Sequence, residues 1–234
     1  MRLSYAVSLL TLILLLAITM LNSTYFDGYW GLISLLFLFA FMAEFIFIFN
    51  DSMSGAKDIA LISILGSFSA ASRIPFAGIP SVQPSTFIII MTGYTLGYGA
   101  GFMVGLETAL LSNFILGQGP WTPWQMLAWG ITGILGASIR RFRGGKYEGA
   151  ILLGVSVISG YLFGAITNLW YWLAFISPHT LASFLMVESL SIYFDTMHAV
   201  GNFIFMDLFG PKFADIMERF KLKTIFLSAE RCPE

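Results

Sequence analysis

The chain has 234 residues, of which 57% are hydrophobic and only 11% charged, and its mean hydropathy is +0.82. A soluble domain of this length carries about a quarter charged residues, so the composition excludes a soluble globule and points to an integral membrane protein. The net charge of −1 gives no footprint for nucleic acid, and the lone cysteine, Cys232, excludes an internal disulfide framework.

A bilayer crossing takes about 20 apolar residues. Apolar runs fall at 3–22, 30–49, 57–73, 84–98, 99–116, 122–139, 148–175 and 182–208, which predicts eight helices. The first run has Arg2 at its head, as a signal peptide would. It is long and lacks a small-x-small cleavage site before "NSTYFDG", so it is read as a retained span. The third run carries Ala56, Ala60, Ser63, Ser67 and Ala70 at spacings of four, three, four and three, a continuous small-residue stripe along one helix face.

The loop that follows, "SRIPFAGIPSVQP", holds Arg73 and Gln83. Arg73 has two readings: a partner for an anion or a carbonyl, or an arginine snorkelling to the interface. The fourth and fifth runs meet at a tight turn near "GYGAG". Gly93, Gly97, Gly101 and Gly105 recur there every four residues and suit close helix packing. Glu107 and Asn113 lie on the fifth run, with Asn113 near its far end.

Next comes "NFILGQGPWTPWQMLAWG", the most amphipathic stretch of the chain. Its two prolines stiffen the loop and set the start of the sixth helix. Trp121, Trp124 and Trp129 suit an aromatic belt at the membrane surface. Gln118 and Gln125 point beyond a belt, and Trp121, Gln125 and Trp129, spaced four apart, share a face fit for a flat amphipathic ligand. Gly130, Gly133 and Gly136 follow on the sixth run, and Gly160 and Gly164 on the seventh.

"NLWYW" brings Asn168, Trp170, Tyr171 and Trp172 to the end of the seventh run, and His179 lies in the loop beyond. On the last run Glu188, Asp195, His198 and Asn202 share one face. Ionisable groups within spans are costly; Glu44, Glu107, Glu188 and Asp195 are such groups. Hydrogen bonding between helices and a proton relay both account for them. The two histidines, with no cysteine nearby, do not make a metal site. The segment from Lys212 to Lys223 reads as a short amphipathic basic helix at the membrane surface.

Placing the N-terminus in the cytoplasm puts eleven of the twelve basic residues on the inner side, with Arg73 alone outside. Both termini are then cytoplasmic. Arg73, Gln83, Gln118, Trp121 and Trp170 gather at the outer face, apolar walls with a few placed polar groups, as in a small-molecule site. The chain has no G-x-x-x-x-G-K-[ST] loop with which to drive itself by ATP. It also lacks H-E-x-x-H, G-x-S-x-G and paired hydropathy halves.

Residues 57 to 208 resemble the substrate-binding S-component of energy-coupling factor (ECF) transporters. The resemblance rests on "RIPFAGIPSVQPSTFIIIMTGYTLGYGAGFMVGLETALLSNFILGQGPWTPWQMLAWGITGILGA", and "SNFILGQGPWTPWQMLAWG" is most similar to members assigned to cobalamin. It implies an all-α, polytopic membrane bundle: a six-helix core over 56–210, two additional N-terminal helices within 1–55, and a basic cytoplasmic tail over 211–234. It implies a non-enzymatic subunit of the cell membrane that captures a vitamin at its outer end. The vitamin then passes through a membrane T-component driven by two cytoplasmic ATPases.

On that reading no cofactor or metal is expected. Trp121, Trp124, Trp129 and Trp170 would pack on cobalamin or a related corrinoid. Gln83, Gln118, Gln125 and Asn168 would meet its amides, Arg73 its phosphate, and Asn113 would belong to the same binding site. In the family, alanines on the first core helix contact the T-component; here the stripe Ala56, Ala60, Ser63, Ser67 and Ala70 takes that place, with serines at two of the positions. The alternatives are an S-component for another vitamin or precursor, an intramembrane enzyme using Glu188, Asp195 and His198, and a membrane scaffold with no small ligand.

Overall fold

The structure is a computed structural model that describes residues 56–146 and 148–229, together with isolated positions between 29 and 43; side chains are described as far as 220. The first N-terminal run, all but isolated positions of the second, and Glu44 therefore lie outside the described residues.

Every regular element among the described residues is helical. We number the α-helices α1 (Ala56–Arg73), α2 (Ser85–Leu96), α3 (Tyr98–Leu116), α4 (Thr122–Ser138), α5 (Glu148–Phe175) and α6 (Leu181–Ala229). Short 3-10 turns, Ile74–Phe76 and Ile139–Phe142, follow α1 and α4. Among the described residues, three stretches are long and apolar enough to cross a membrane by length and composition: Lys57–Phe76, Tyr98–Leu116 and Glu148–Phe175.

At 12 residues α2 is the shortest helix, and it is the centre of the bundle. Every residue from Ser85 to Thr95 is buried. A helix that is apolar all round belongs inside other helices, and α2 packs against α1, α3, α4, α5 and α6. Its hydroxyls satisfy themselves locally: Thr92 donates to the Ile88 carbonyl and Thr95 to that of Met91, at 2.8 and 2.7 Å. A single residue, Gly97, joins α2 to α3. Its φ of 105° lies in the left-handed region that glycine alone enters freely.

Glycine also sets the tightest crossing. A Cβ on Gly133 of α4 would strike the backbone of Gly101 on α3, and one on Gly93 of α2 would strike the Gly133 carbonyl. Three backbones meet here with almost nothing between them, so dispersion contacts accumulate where no water can be expelled. The expected four-residue glycine series thus divides by role. Gly93, Gly101 and Gly105 lie at helix contacts, whereas a Cβ on Gly97 would meet nothing within 4 Å.

The 49 residues of α6 form one helix that passes straight through Pro211. This replaces the expected short surface helix after 210. Tertiary contacts explain the continuity, although proline removes one backbone donor. Phe213 packs edge-on against Phe87 at 5.4 Å, Met217 is buried, and Arg143 donates to Glu218 at 2.6 Å. That bond raises the Arg143 pKa. Before the proline Met206 is buried and Phe209 packs on Phe87 at 6.3 Å, so the helix is held on both sides and does not end there.

Candidate functional site

One end of the bundle is formed by the end of α1, the 73–85 connection, the α3–α4 loop and the α5–α6 loop. Arg73, the last residue of α1, is its focus. The side chain is 8% exposed, yet its partners are all neutral. Nε donates to Gln83 Oε1 at 2.6 Å, and Nη1 donates to Ser112 Oγ and to Asn113 Oδ1, the latter at 3.1 Å. The guanidinium lies over the Trp129 ring, 4.6 Å from its centroid. Among the described residues no carboxylate forms an ion pair with it.

The network continues from Asn113. Its Nδ2 donates to Gln125 Oε1 at 2.8 Å and to Thr122 Oγ1 at 2.9 Å. Thr122 donates in turn to Gln118 Oε1, and Gln118 Nε2 to the Leu110 carbonyl. Pro123, near the start of α4, and Gly117, which caps α3 at φ 120°, fix the loop between them. Thus α1, the following connection, α3 and α4 each contribute to one chain of polar groups.

Below it, the Trp129 indole donates to Thr86 Oγ1 at 3.0 Å, and Thr86 lies 2.8 Å from His198 Nε2. An indole N–H can only donate, so the Thr86 hydroxyl proton is free for the imidazole. Phe163 packs on both rings, 4.7 Å from Trp129 and 5.0 Å from His198. The floor of the site is therefore polar groups satisfied by one another, with aromatic rings between them.

The four tryptophans expected at the ligand separate into two pairs. Trp121 and Trp170 are half-buried and meet edge-to-face at 5.9 Å, joining α4 to α5 beside the amide network. Trp129 is wholly buried and Trp124 is 6% exposed, both in the core. Neither presents a free ring face at the surface. Trp129 lies two turns into α4, where Thr86 of α2, Gly105 of α3 and Phe163 of α5 surround it, whereas Trp124 is already buried in the first turn.

Asn168 is not joined to this cluster. It donates to Ser191 Oγ at 2.6 Å and Glu188 Oε1 at 3.2 Å, and Ser191 donates to Asp195 Oδ2 at 2.6 Å, which ties α5 to α6. Asp195 rests on Gly164, where a Cβ would collide with its carboxylate. Glu188 and Asp195 thus share one hydrogen-bonded group, and His198 bonds into the Thr86 group instead. Asn202 donates to the Ser156 carbonyl at 3.1 Å.

On α1, Ala60, Ser63 and Ser67 are exposed, flanked by the exposed side chains of Ile59, Ile64 and Phe68. Ala70 departs from the expected stripe: it is buried near Ser69, to which Thr108 of α3 donates at 2.8 Å. Ala56 opens the helix, and its side chain lies outside the described residues.

Sequence reasoning missed Thr86, Ser112 and Thr122. Each is a small hydroxyl within an apolar helix, where it usually bonds its own backbone; only the fold shows which ones reach across. No family model, curated protein or solved structure matches this chain.

Proposed function

We propose that this chain is the substrate-capture S-component of an ECF-type vitamin transporter, with cobalamin or a related corrinoid as its ligand. The observation that carries the reading is the polar chain from Arg73 through Asn113 to Gln125 and Gln118, drawn from separate helices and set beside the Trp121–Trp170 pair. A large ligand with amide arms and broad apolar faces suits amides and indoles placed together.

On this reading the chain is a multi-pass protein of the cell membrane. The described helices form the six-helix core, two further spans precede it, and both termini are cytoplasmic. The Arg73 end is then the outer face. The exposed small residues Ala60, Ser63 and Ser67 give the T-component a face that another helix can approach closely. Two separate ATPases supply the energy. An S-component for another vitamin keeps the same architecture and changes only the ligand.

Calorimetric titration of cobalamin into the purified protein tests the site. Trp121→Ala and Gln125→Ala should each weaken binding by about 1–3 kcal/mol, the loss of one aromatic or hydrogen-bonding partner, with little change in melting temperature. Wild-type affinity in both variants would return the two residues to an aromatic belt.

A further inference from the structure

We infer that the outer site recognises its ligand through an anionic group, a carboxylate or a phosphate, held at Arg73. The inference takes the site's location from the capture reading and adds the charge of what it captures. It follows from the direction in which the hydrogen bonds must run.

A guanidinium has donors only. Gln83 and Asn113, which touch Arg73, must therefore turn their carbonyl oxygens to it. Asn113 is left with its amino group, which it gives to Thr122 and Gln125. Gln125 must accept, so its oxygen is used as well. The arginine thus orients each amide around it: every carbonyl oxygen already accepts one bond inside the network, with a second lone pair in reserve, whereas N–H groups are left with no bond at all.

Three nitrogens remain without a hydrogen-bond partner among the described residues: Arg73 Nη2, Gln83 Nε2 and Gln125 Nε2. None of them is among the sealed, unpartnered atoms of the interior, so each keeps some solvent-accessible area. The unpartnered atoms left for a ligand are thus donors, and one belongs to a buried cation with no ion pair among the described residues. A neutral carbonyl would satisfy a donor but leave the charge uncompensated. An anion does both, and charge-assisted bonds of this kind are shorter and stronger than neutral ones. In a low-dielectric surround the gain is larger still.

The experiment has two arms on the purified full chain. In the first, phosphate replaces chloride at constant ionic strength and the melting temperature is followed. The wild type should be stabilised by phosphate and Arg73→Gln should not; equal melting of the wild type in both salts overturns the inference without relying on any variant. In the second, vitamins are titrated as pairs with and without the anion: pantothenate and pantothenol, biotin and biotin amide, and, for a corrinoid ligand, cobalamin and cobinamide, which lacks the nucleoside as well as the phosphate, so that there only the loss of the difference in Arg73→Gln counts. For whichever pair binds, the anionic member should bind roughly tenfold to hundredfold more tightly, and Arg73→Gln should erase the difference. Equal binding of both members overturns the inference and leaves vitamin capture standing. Stabilisation by phosphate through Arg73 with no vitamin bound has the opposite meaning: the anion site stands and the capture reading falls.

Discussion

Trp121 and Trp124 stand three residues apart at the start of α4 and meet different surroundings. Trp121 is half-buried beside Trp170, whereas Trp124 is buried with its indole N–H unpartnered. An unpaired buried donor costs about 1–3 kcal/mol, so the ring is kept there by its packing. Trp124→Ala would leave a ring-sized void, worth about 3–5 kcal/mol. Thermal melting of that variant should drop well below that of Trp121→Ala. A Trp124→Ala protein that melts normally and loses only ligand affinity would place Trp124 in the site rather than under it. The sequence could not separate the two residues, because spacing along a helix gives the angle of a side chain and not its depth. Arg73 was legible in the sequence for a different reason. As the one basic residue at its end of the bundle it stood out by charge, and the structure adds its neutral partners.

At the scale of the helix, small residues serve two purposes, and their spacing alone does not say which. Gly93, Gly101 and Gly133 close an internal crossing of α2, α3 and α4. Ala60, Ser63 and Ser67 of α1 face outward. Both series repeat at intervals of three or four, so the pattern was readable from the sequence while its direction was not. Ala70 shows the limit, since it continues the stripe in sequence yet is buried. Likewise the proline of α6 signals a helix end, and contacts from Phe213 and Glu218 override it. The outward stripe yields a prediction. Ser63→Trp should hold a neighbouring helix away and abolish ATP-driven uptake in a reconstituted complex, while the purified chain binds ligand with near-normal affinity. Normal uptake by that variant would make the stripe ordinary lipid-facing surface.

At the scale of the molecule, the two ends of the bundle differ in chemistry. One end gathers Arg73, amides and half-buried indoles. From the other, α6 runs on: its 49 residues extend about 74 Å, against about 30 Å for a hydrocarbon core. The all-helical class followed from composition and run length, because a bilayer admits only helices and closed barrels. The proposed eight spans rest on the apolar runs, and their proposed orientation on lysine and arginine, eleven of twelve of which fall inside when the N-terminus is placed in the cytoplasm. On the proposed reading that same asymmetry makes the Arg73 end the outer face, where a capture subunit would meet its substrate. The most direct test is mass spectrometry of the small molecules released on denaturing the protein purified from its native membrane. A corrinoid or another vitamin released in near-stoichiometric amount is the predicted result, and protein that releases no small molecule and binds no vitamin on titration would contradict the capture function.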